Sequence, residues 1–396
     1  MLKPLLDETY PEETRRHVIA VTIARLNANA CFRFAPPFLA SISDDLSTSL
    51  SRIGVALMIT ELLMIVSPVV GGLVDRLHRR TSMVAGLLGV SAAAALAATS
   101  PGLIVFVIAI AILGLSKLVF DVGLTAWVND HVDYERRGRV IGITETSWAL
   151  GLLVGVTIMG LVASASSWRW GYVTGAAATA LMALVLARRL GPDGESHSSR
   201  RLNSVRRPLP REGYWVVLAM FFLMAASQCM FVTFGSWLDD EFGFSEAGIA
   251  AVAFGLGAFE LLASLTSSRR TDVWGKERST ALGAALIVPS GVLLAASGSN
   301  VVLGLIFLAL FLLGFEFAIV SLLPLAANVI PESPARGLGF AIGGGTLGRA
   351  VMSLAATATY DVHGIGVPAL IGSACAISVI ASLAAYRRRV SLDSRS

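Results

Sequence analysis

The segment Gly71-Gly72-Leu73-Val74-Asp75-Arg76-Leu77-His78-Arg79-Arg80 is a short arginine-rich turn between two long apolar runs. A degenerate copy follows later in the chain as Ser268-Arg269-Arg270-Thr271-Asp272-Val273-Trp274-Gly275-Lys276-Glu277-Arg278. Asp75 and Asp272 are 197 positions apart in a chain of 396 residues. One half of the sequence therefore repeats the other in outline.

A second pair of markers repeats at nearly the same offset. Glu135-Arg136-Arg137-Gly138 and Pro331-Glu332-Ser333-Pro334-Ala335-Arg336-Gly337 place their Arg-Gly steps 199 positions apart. Because the two markers recur at nearly the same offset, the sequence predicts two copies of one helical bundle, an organisation that many secondary transporters have.

The composition is typical of a membrane protein. Hydrophobic residues make up 55% of the chain and charged residues only 15%, whereas about 25% of a soluble domain is charged. A run of about 20 apolar residues crosses the hydrocarbon layer, where the backbone must bond within its own segment as a helix. The sequence therefore predicts an all-α integral membrane protein with twelve transmembrane helices in two pseudo-symmetric six-helix bundles. The predicted spans are 18–40, 53–73, 82–99, 102–127, 140–164, 168–187, 214–237, 246–267, 279–298, 301–327, 338–359 and 365–386.

The basic residues give these spans an orientation. With both termini inside, cytoplasmic stretches hold 25 of the 31 Lys and Arg residues, and the outer ends of the spans hold only Arg52 and Arg169. The outer loops are predicted to be neutral or acidic, as in Asp44-Asp45 and Asp239-Asp240-Glu241. Such a bias sets orientation through the positive-inside rule. We therefore expect a multi-pass protein of the cell (inner) membrane with both termini in the cytoplasm.

A polar stretch divides the chain. Residues 189–212 are rich in Ser and Arg and contain three prolines, as expected of a flexible cytoplasmic linker. The predicted organisation is a cytoplasmic segment over 1–16, a six-helix bundle over 17–188, the linker, a second six-helix bundle over 213–386 and a cytoplasmic tail over 387–396. The first segment is polar and acidic, which predicts no removable signal peptide.

The sequence argues against several classes of function. The net charge of +4 does not indicate a nucleic-acid partner, because the basic residues lie in membrane-proximal turns that meet anionic lipids. The sequence has no Gly-rich phosphate loop, His-Glu-x-x-His motif or nucleophile elbow. Its three isolated cysteines give no metal site. We expect a monomeric protein in contact with lipids and a small-molecule substrate, without enzyme activity, metal or cofactor, and driven by a proton gradient.

The turn after the second predicted span resembles the loop signature of the major facilitator superfamily, Gly-x-Leu-Ala-Asp-Arg-x-Gly-Arg-Arg. Val74 and His78 depart from it, and the later copy lacks the leading Gly. The segment from Leu124 to Gly142 resembles the superfamily's loop between helices four and five. The residues that match the signature are Gly71, Leu73, Asp75, Arg76, Arg79 and Arg80. Within the superfamily, the chain resembles bacterial arabinose-efflux-like and drug-proton antiporter permeases.

One motif of such exporters is incomplete. Their fifth helix carries Gly-x-x-x-Gly-Pro-x-x-Gly-Gly, and this chain has Gly151 and Gly155 but Val156 in place of the proline. Glycines at this spacing also favour close helix packing in any membrane protein. The direction of transport is therefore left open by this motif.

The resemblance implies a cytoplasmic latch that holds the two halves together when the cavity opens outward. Asp75 carries the negative charge that a helix N-terminus attracts, which fits this role. The alternative is that the arginines only orient the chain. The latch candidates are Gly71, Asp75, Arg76, Arg79, Asp130 and Asp272.

Nine charged residues fall inside the predicted spans. Each costs about 2.5–3.5 kcal/mol at the centre of a helix, so it is expected to face a cavity or a partner. Lys117 and Asp121 are four residues apart and are expected to pair, and Glu145 is expected to brace the arginine at 136, 137 or 139. The proton-coupling candidates are Glu61, Glu316, Asp121 and Glu260, and the substrate-cavity candidates are Arg33, Asn29, Arg25 and Arg349.

Position along the helix ranks these candidates. Glu61 lies roughly 12 Å from Ile53 and roughly 18 Å from Leu73 at 1.5 Å per residue, which is near the membrane midplane. Arg25, Asn29 and Arg33 follow four-residue spacing and share one helix face. A buried structural pair is the alternative role for the four leading candidates, Glu61, Glu316, Arg33 and Arg349.

The leading hypothesis is a secondary active transporter that exports a small amphipathic molecule by alternating access in exchange for protons. Glu61 or Glu316 would carry the proton, and Arg33 and Arg349 would compete for the same carboxylate. The alternatives are proton-coupled uptake of a polar or anionic nutrient and lipid flipping. A membrane scaffold or sensor is a further class, against which the cost of nine intramembrane charges argues.

The charge bias makes a topological prediction. Cysteines introduced by Ser198→Cys and Asp240→Cys, each in a cysteine-free background, should react with a membrane-impermeant maleimide from opposite sides of the membrane. Asp240→Cys should label in intact cells, and Ser198→Cys only after the membrane is opened. Labelling of both from outside would contradict the predicted topology.

Overall fold

The described part of the chain is built from helices. The computed structural model describes residues 10–65, 77–132, 137–191, 209–330 and 334–393, and these ranges contain no strand. A 3-10 turn covers Pro36–Phe38 and a π-helical segment covers Gly151–Val156. The helices are α1 (Glu12–Phe34), α2 (Leu39–Asp45), α3 (Leu50–Met64), α4 (Arg79–Ala98), α5 (Leu103–His131), α6 (Arg137–Leu150), α7 (Thr157–Ser164), α8 (Trp168–Arg189), α9 (Gly213–Phe231), α10 (Phe234–Phe242), α11 (Glu246–Trp274), α12 (Lys276–Ser297), α13 (Val301–Ala327), α14 (Pro334–His363) and α15 (Gly366–Asp393).

Eleven helical segments of the described residues are long and apolar enough to cross a membrane. Three of them join two helices each: Thr14–Asp45 joins α1 to α2, Val140–Ala163 joins α6 to α7, and Gly213–Phe242 joins α9 to α10. The predicted span 53–73 coincides with α3 as far as Met64 and then continues outside the described residues. The prediction of an all-α membrane protein is confirmed.

Two of these segments are broken near their C-terminal ends. Pro36 and Pro37 lack the backbone N–H that a continuing helix needs, and they end α1. The break between α9 and α10 contains no proline; there Thr233 donates its hydroxyl to the Cys229 carbonyl at 2.6 Å. Because a helix resumes after each break, Asp44-Asp45 and Asp239-Asp240-Glu241 are helical, and their assignment to loops is wrong.

The second basic turn is shorter than the sequence pattern predicts. α11 continues through the copied motif to Trp274, and α12 begins at Lys276. Gly275 alone separates the two helices, with a φ of 87° that glycine adopts without steric cost. The predicted short turn over Ser268 to Arg278 is wrong in extent, because most of these residues are helical and Gly275 alone lies between the two helices.

The first of two compact units comprises Met1–Ala35 and Val66–Val205. Its helices approach closely where small residues meet. A Cβ atom at Gly86 of α4 would lie 2.6 Å from the backbone nitrogen of Phe120 in α5. Such contacts let helix backbones touch in a membrane, where there is little hydrophobic force between helices.

The second compact unit comprises Pro36–Ile65 and Arg206–Ser396. Residues 36–65 therefore group with the second predicted half, although they belong to the first half in sequence. Close packing of α3 on α14 explains this grouping, because a Cβ atom at Gly54 would overlap the Thr357 side chain and the Ser353 carbonyl. The division into bundles over 17–188 and 213–386 stays a prediction.

The contact at Gly86 can be tested by overpacking. Gly86→Val should destabilise the protein by about 1–3 kcal/mol, because the added atoms meet the rigid backbone of α5. Gly255→Val in α11 is the matched control, since a Cβ atom there meets no atom within 4 Å. Thermal unfolding in detergent should show a lower midpoint for the first variant only. Equal midpoints would contradict this account of helix packing.

Candidate functional site

A polar stripe on α1 faces α6 in the first unit. Arg25 donates from Nη1 to Glu145 Oε1 at 2.7 Å. One turn further, Asn29 donates from Nδ2 to Ser147 Oγ at 3.2 Å. Because these contacts follow the helical repeat, the predicted face of α1 is the face that packs on α6. The structure pairs Glu145 with Arg25. The predicted contact of Glu145 with the arginine at 136, 137 or 139 falls on side chains outside the described residues.

Asp121 of α5 joins this stripe through two cations. Lys117 Nζ lies 2.5 Å from Asp121 Oδ2, and Arg25 Nε lies 3.1 Å from Asp121 Oδ1. The pairing of Lys117 with Asp121 follows their four-residue spacing, as predicted. The pairing of Arg25 with Asp121 joins α1 to α5. These residues form what we call the charged cluster: Arg25, Lys117, Asp121 and Glu145.

Two aromatic rings adjoin the charged cluster. The guanidinium carbon of Arg33 lies 4.6 Å from the centre of the Trp148 ring, and Arg33 Nη1 donates to the Trp148 carbonyl at 2.9 Å. Lys117 Nζ lies 5.9 Å from the centre of that ring and 5.5 Å from that of Phe32. Cations at such distances are attracted to the ring faces. Sequence reasoning missed Phe32 and Trp148, because an aromatic residue in a span usually packs against apolar neighbours.

The glycines of the incomplete exporter motif form the π-helical segment Gly151–Val156. A Cβ atom at Gly151 would lie 2.9 Å from Cβ of Asn29, so this segment packs directly on α1. π-helical turns occur often at functional sites. The irregular backbone therefore lies at the position where the motif of the resembled exporters has its proline, here Val156.

The second unit has a polar stripe of its own on α14. Arg349 forms an ion pair with Glu61 of α3, 288 residues away in sequence. One turn further, Ser353 accepts a hydrogen bond from Gln228 Nε2 at 2.8 Å. Near the end of the helix, Asp361 accepts hydrogen bonds from Ser51. Arg349, Ser353 and Thr357 follow four-residue spacing, which indicates a polar helix face. The sequence analysis named only Arg349 of these three residues.

The remaining acidic candidates are buried in two other helices of the second unit. Glu260 of α11 is fully buried, and Glu316 of α13 is 6% exposed. Between the same two helices, Ser267 and Ser321 share a hydrogen bond at 2.9 Å. The proton-carrying role of both acids stays a prediction.

The latch candidates are described only in part. Arg79 at the start of α4 pairs with Asp130 near the end of α5, with 2.8 Å between Nε and Oδ2. Gly71, Asp75 and Arg76 lie outside the described residues, as does the side chain of Asp272. The latch therefore stays a prediction, to which the structure adds the Arg79–Asp130 ion pair.

The charged cluster makes a prediction about stability. Asp121→Asn should destabilise the protein by about 3 kcal/mol, because Lys117, whose side chain is 5% exposed, would lose its carboxylate partner. Glu12→Gln is the control, since its ion pair with Arg16 is exposed and contributes at most about 1 kcal/mol. The midpoint of denaturant unfolding in detergent measures both. A loss of equal size in both variants would contradict a buried role for Asp121.

Comparison with known proteins identifies the family of this chain. The model of the Major Facilitator Superfamily matches residues 19–233. The uncharacterized MFS-type transporter YwfA of Bacillus subtilis is 23% identical over 281 residues, which cover 68% of this chain and 67% of YwfA. Multidrug resistance protein 1 of the same organism is 26% identical over 230 residues, which cover 55% of this chain and 57% of that protein.

Solved structures share the fold over nearly the whole chain. A bacterial homolog of the human lysosomal transporter Spinster, in an inward-facing and unoccupied conformation, has a TM-score of 0.72 at 12% identity and covers 95% of this chain and 94% of its own. The human organic anion transporter MFSD10 has a TM-score of 0.66 at 19% identity and covers 94% of this chain and 100% of its own. The chain belongs to the Major Facilitator Superfamily and is a multi-pass membrane transporter.

Proposed function

We propose that this transporter exports a small amphipathic molecule by alternating access and couples export to proton entry. The ion pair between Glu61 and Arg349 carries the proposal. Both side chains are largely buried, with 6% of Glu61 and 17% of Arg349 exposed. They join helices that are far apart in sequence, so a change in this pair alters the packing of α3 on α14.

A carboxylate in such a pair has the property that proton coupling requires. When Glu61 is ionised, it attracts Arg349; when it binds a proton, that attraction is lost. Burial makes this change in attraction large, because little water is present there to screen the two charges. The two protonation states therefore favour different arrangements of α3 and α14, and a substrate that prefers one arrangement is thermodynamically linked to the proton.

We rank the other proton candidates after Glu61. Asp121 is held by both Arg25 and Lys117 within the charged cluster, which suits a structural role. Glu316 and Glu260 are as deeply buried as Glu61, and they remain candidates for a second proton site. The likeness to a protein named Multidrug resistance protein 1 supports export as the direction and an amphipathic molecule as the substrate.

The proposal predicts the behaviour of carboxylate variants in proteoliposomes. The double variant Glu61→Gln with Glu316→Gln should still bind and exchange a transported dye but should lose the response to an imposed pH gradient. The double variant is needed because Glu61 and Glu316 are both candidate carriers, and a single variant would leave the other acid in place. Glu277→Gln, in an exposed ion pair with Arg387, should keep the wild-type response.

A panel of cationic, neutral and anionic amphipathic dyes supplies the transported compound. If the double variant still concentrates a dye under the pH gradient, neither acid carries the proton, and Glu260 or Asp121 is the next candidate. Accumulation in the opposite direction would favour uptake, and movement without any response to pH in the wild type would favour facilitated transport or lipid flipping.

A further inference from the structure

The second basic turn borders a cavity of about 560 Å³ in the second unit, where α11 ends and α12 begins. We infer that this cavity binds the phosphate group of an anionic phospholipid from the adjacent leaflet. The juxtaposition of unpaired cations with an exposed apolar surface carries the inference. The residues that line the cavity, here called the basic cavity, are Thr271, Val273, Trp274, Gly275, Lys276, Glu277, Arg278, Leu325 and Arg387.

Two cations of the basic cavity lack a partner. Arg387 forms an ion pair with Glu277, so these two residues neutralise each other. Lys276 and Arg278 form no ion pair and no side-chain hydrogen bond with a described residue. The described side chains of the cavity therefore present two free positive charges. A phosphodiester carries the negative charge that such a pair of cations attracts.

The position of these cations on α12 is unfavourable unless an anion binds there. Lys276 and Arg278 are the first and third residues of α12. The helix dipole is positive at this end and repels cations. The first turn of α12 also has no side-chain cap, and N–H groups at a helix N-terminus attract phosphate groups. A phosphate group in the basic cavity would therefore relieve the repulsion and pair with the side chains.

A buried hydroxyl beside the basic cavity also lacks a partner. Ser279 is fully buried, and its Oγ has no hydrogen-bond partner among the described residues. It lies three residues after Lys276 and shares a helix face with it. Because the side chains of a helix tilt toward its N-terminus, this hydroxyl is directed toward the end of α12 that lines the cavity. An unpaired buried hydroxyl costs free energy that a hydrogen bond to a phosphate oxygen would recover.

The apolar surface next to the cavity favours a lipid over a soluble phosphate. Val273 is 74% exposed and Trp274 is 43% exposed. Exposed leucines continue from Val273 along α11 into the membrane span, at Leu265 and Leu262. Leu262 and Val273 are eleven residues apart, which is about three helical turns, so they share one face. This face can hold an acyl chain, and tryptophan is common at the level of lipid headgroups.

The alternative is that the basic residues of this turn only orient the chain. The charge bias assigns the turn to the cytoplasmic side, where anionic lipids strengthen membrane association about fivefold for each nearby basic residue. That general attraction needs charge alone, whereas a binding site needs these two cations at this cavity. A variant with the same loss of charge elsewhere on the cytoplasmic side therefore separates the two roles.

The test is native mass spectrometry of the delipidated full-length protein in detergent, with phosphatidylglycerol and phosphatidylcholine of identical acyl chains. We expect the first phosphatidylglycerol molecule to bind at least tenfold more tightly than the first phosphatidylcholine molecule. The double variant Lys276→Gln with Arg278→Gln should weaken phosphatidylglycerol binding at least tenfold, since each lost charge contributes about fivefold. Its binding of phosphatidylcholine should stay as in the wild type.

The matched control is the double variant Arg188→Gln with Arg189→Gln. It removes two exposed basic residues from the last turn of α8, and these residues do not line the basic cavity. The control should keep the preference for phosphatidylglycerol. The Lys276→Gln with Arg278→Gln variant should melt, without lipid, at the wild-type temperature or above, because the substitutions remove cations from a helix N-terminus. Its loss of binding would then not result from unfolding.

Several outcomes overturn the inference. Equal binding of the two lipids by the wild type would do so, and an equal loss in both double variants would reduce the turn to an orientation signal. A lower melting temperature of the Lys276→Gln with Arg278→Gln variant would contradict unfavourable charge on α12. Inorganic phosphate and glycerol 3-phosphate supply the headgroup chemistry without acyl chains, and binding of either as tightly as phosphatidylglycerol would refute the lipid assignment. The measurement uses no gradient and no transported compound, so it is independent of the proposed export.

Discussion

The cost of placing charge in hydrocarbon is the constraint on which this structure depends. Each charged residue in a membrane span costs a few kcal/mol unless it has a partner or borders water. Arg25 and Lys117 meet this constraint by sharing Asp121, and Arg349 meets it with Glu61. Arg25 and Asp121 lie on different helices, and so do Arg349 and Glu61. These ion pairs therefore also determine which helices pack together.

Small residues make these pairs geometrically accessible. Gly54 allows α3 to touch α14 at Ser353 and Thr357, and this approach lets Glu61 reach Arg349. Gly151 does the same for the π-helical segment and α1, beside the contact of Asn29 with Ser147. Close packing at glycine and pairing of polar groups therefore depend on each other. The short distance between the helix axes brings the polar side chains within reach of one another.

The two polar stripes differ in what they offer to a solute. The pair of Glu61 and Arg349 is largely enclosed, which suits a proton-dependent change in helix packing. The charged cluster is open on its acidic side, where Glu145 is half exposed beside Trp148. In the proposed proton-coupled transport, the enclosed pair of Glu61 and Arg349 is the group that would bind the proton.

The sequence by itself determined the membrane class, the family and the identity of the charged residues inside the spans, because apolar run length, charge bias and motif spacing are local properties. It also predicted the pairing of Lys117 with Asp121, which lie one helical turn apart. Only the tertiary structure decided that Glu145 pairs with Arg25 and that Glu61 pairs with Arg349, because their helices are distant in sequence and periodicity carries no information about which helices meet. The exposure of Glu145 and the cation contacts of Trp148 depend on the same packing.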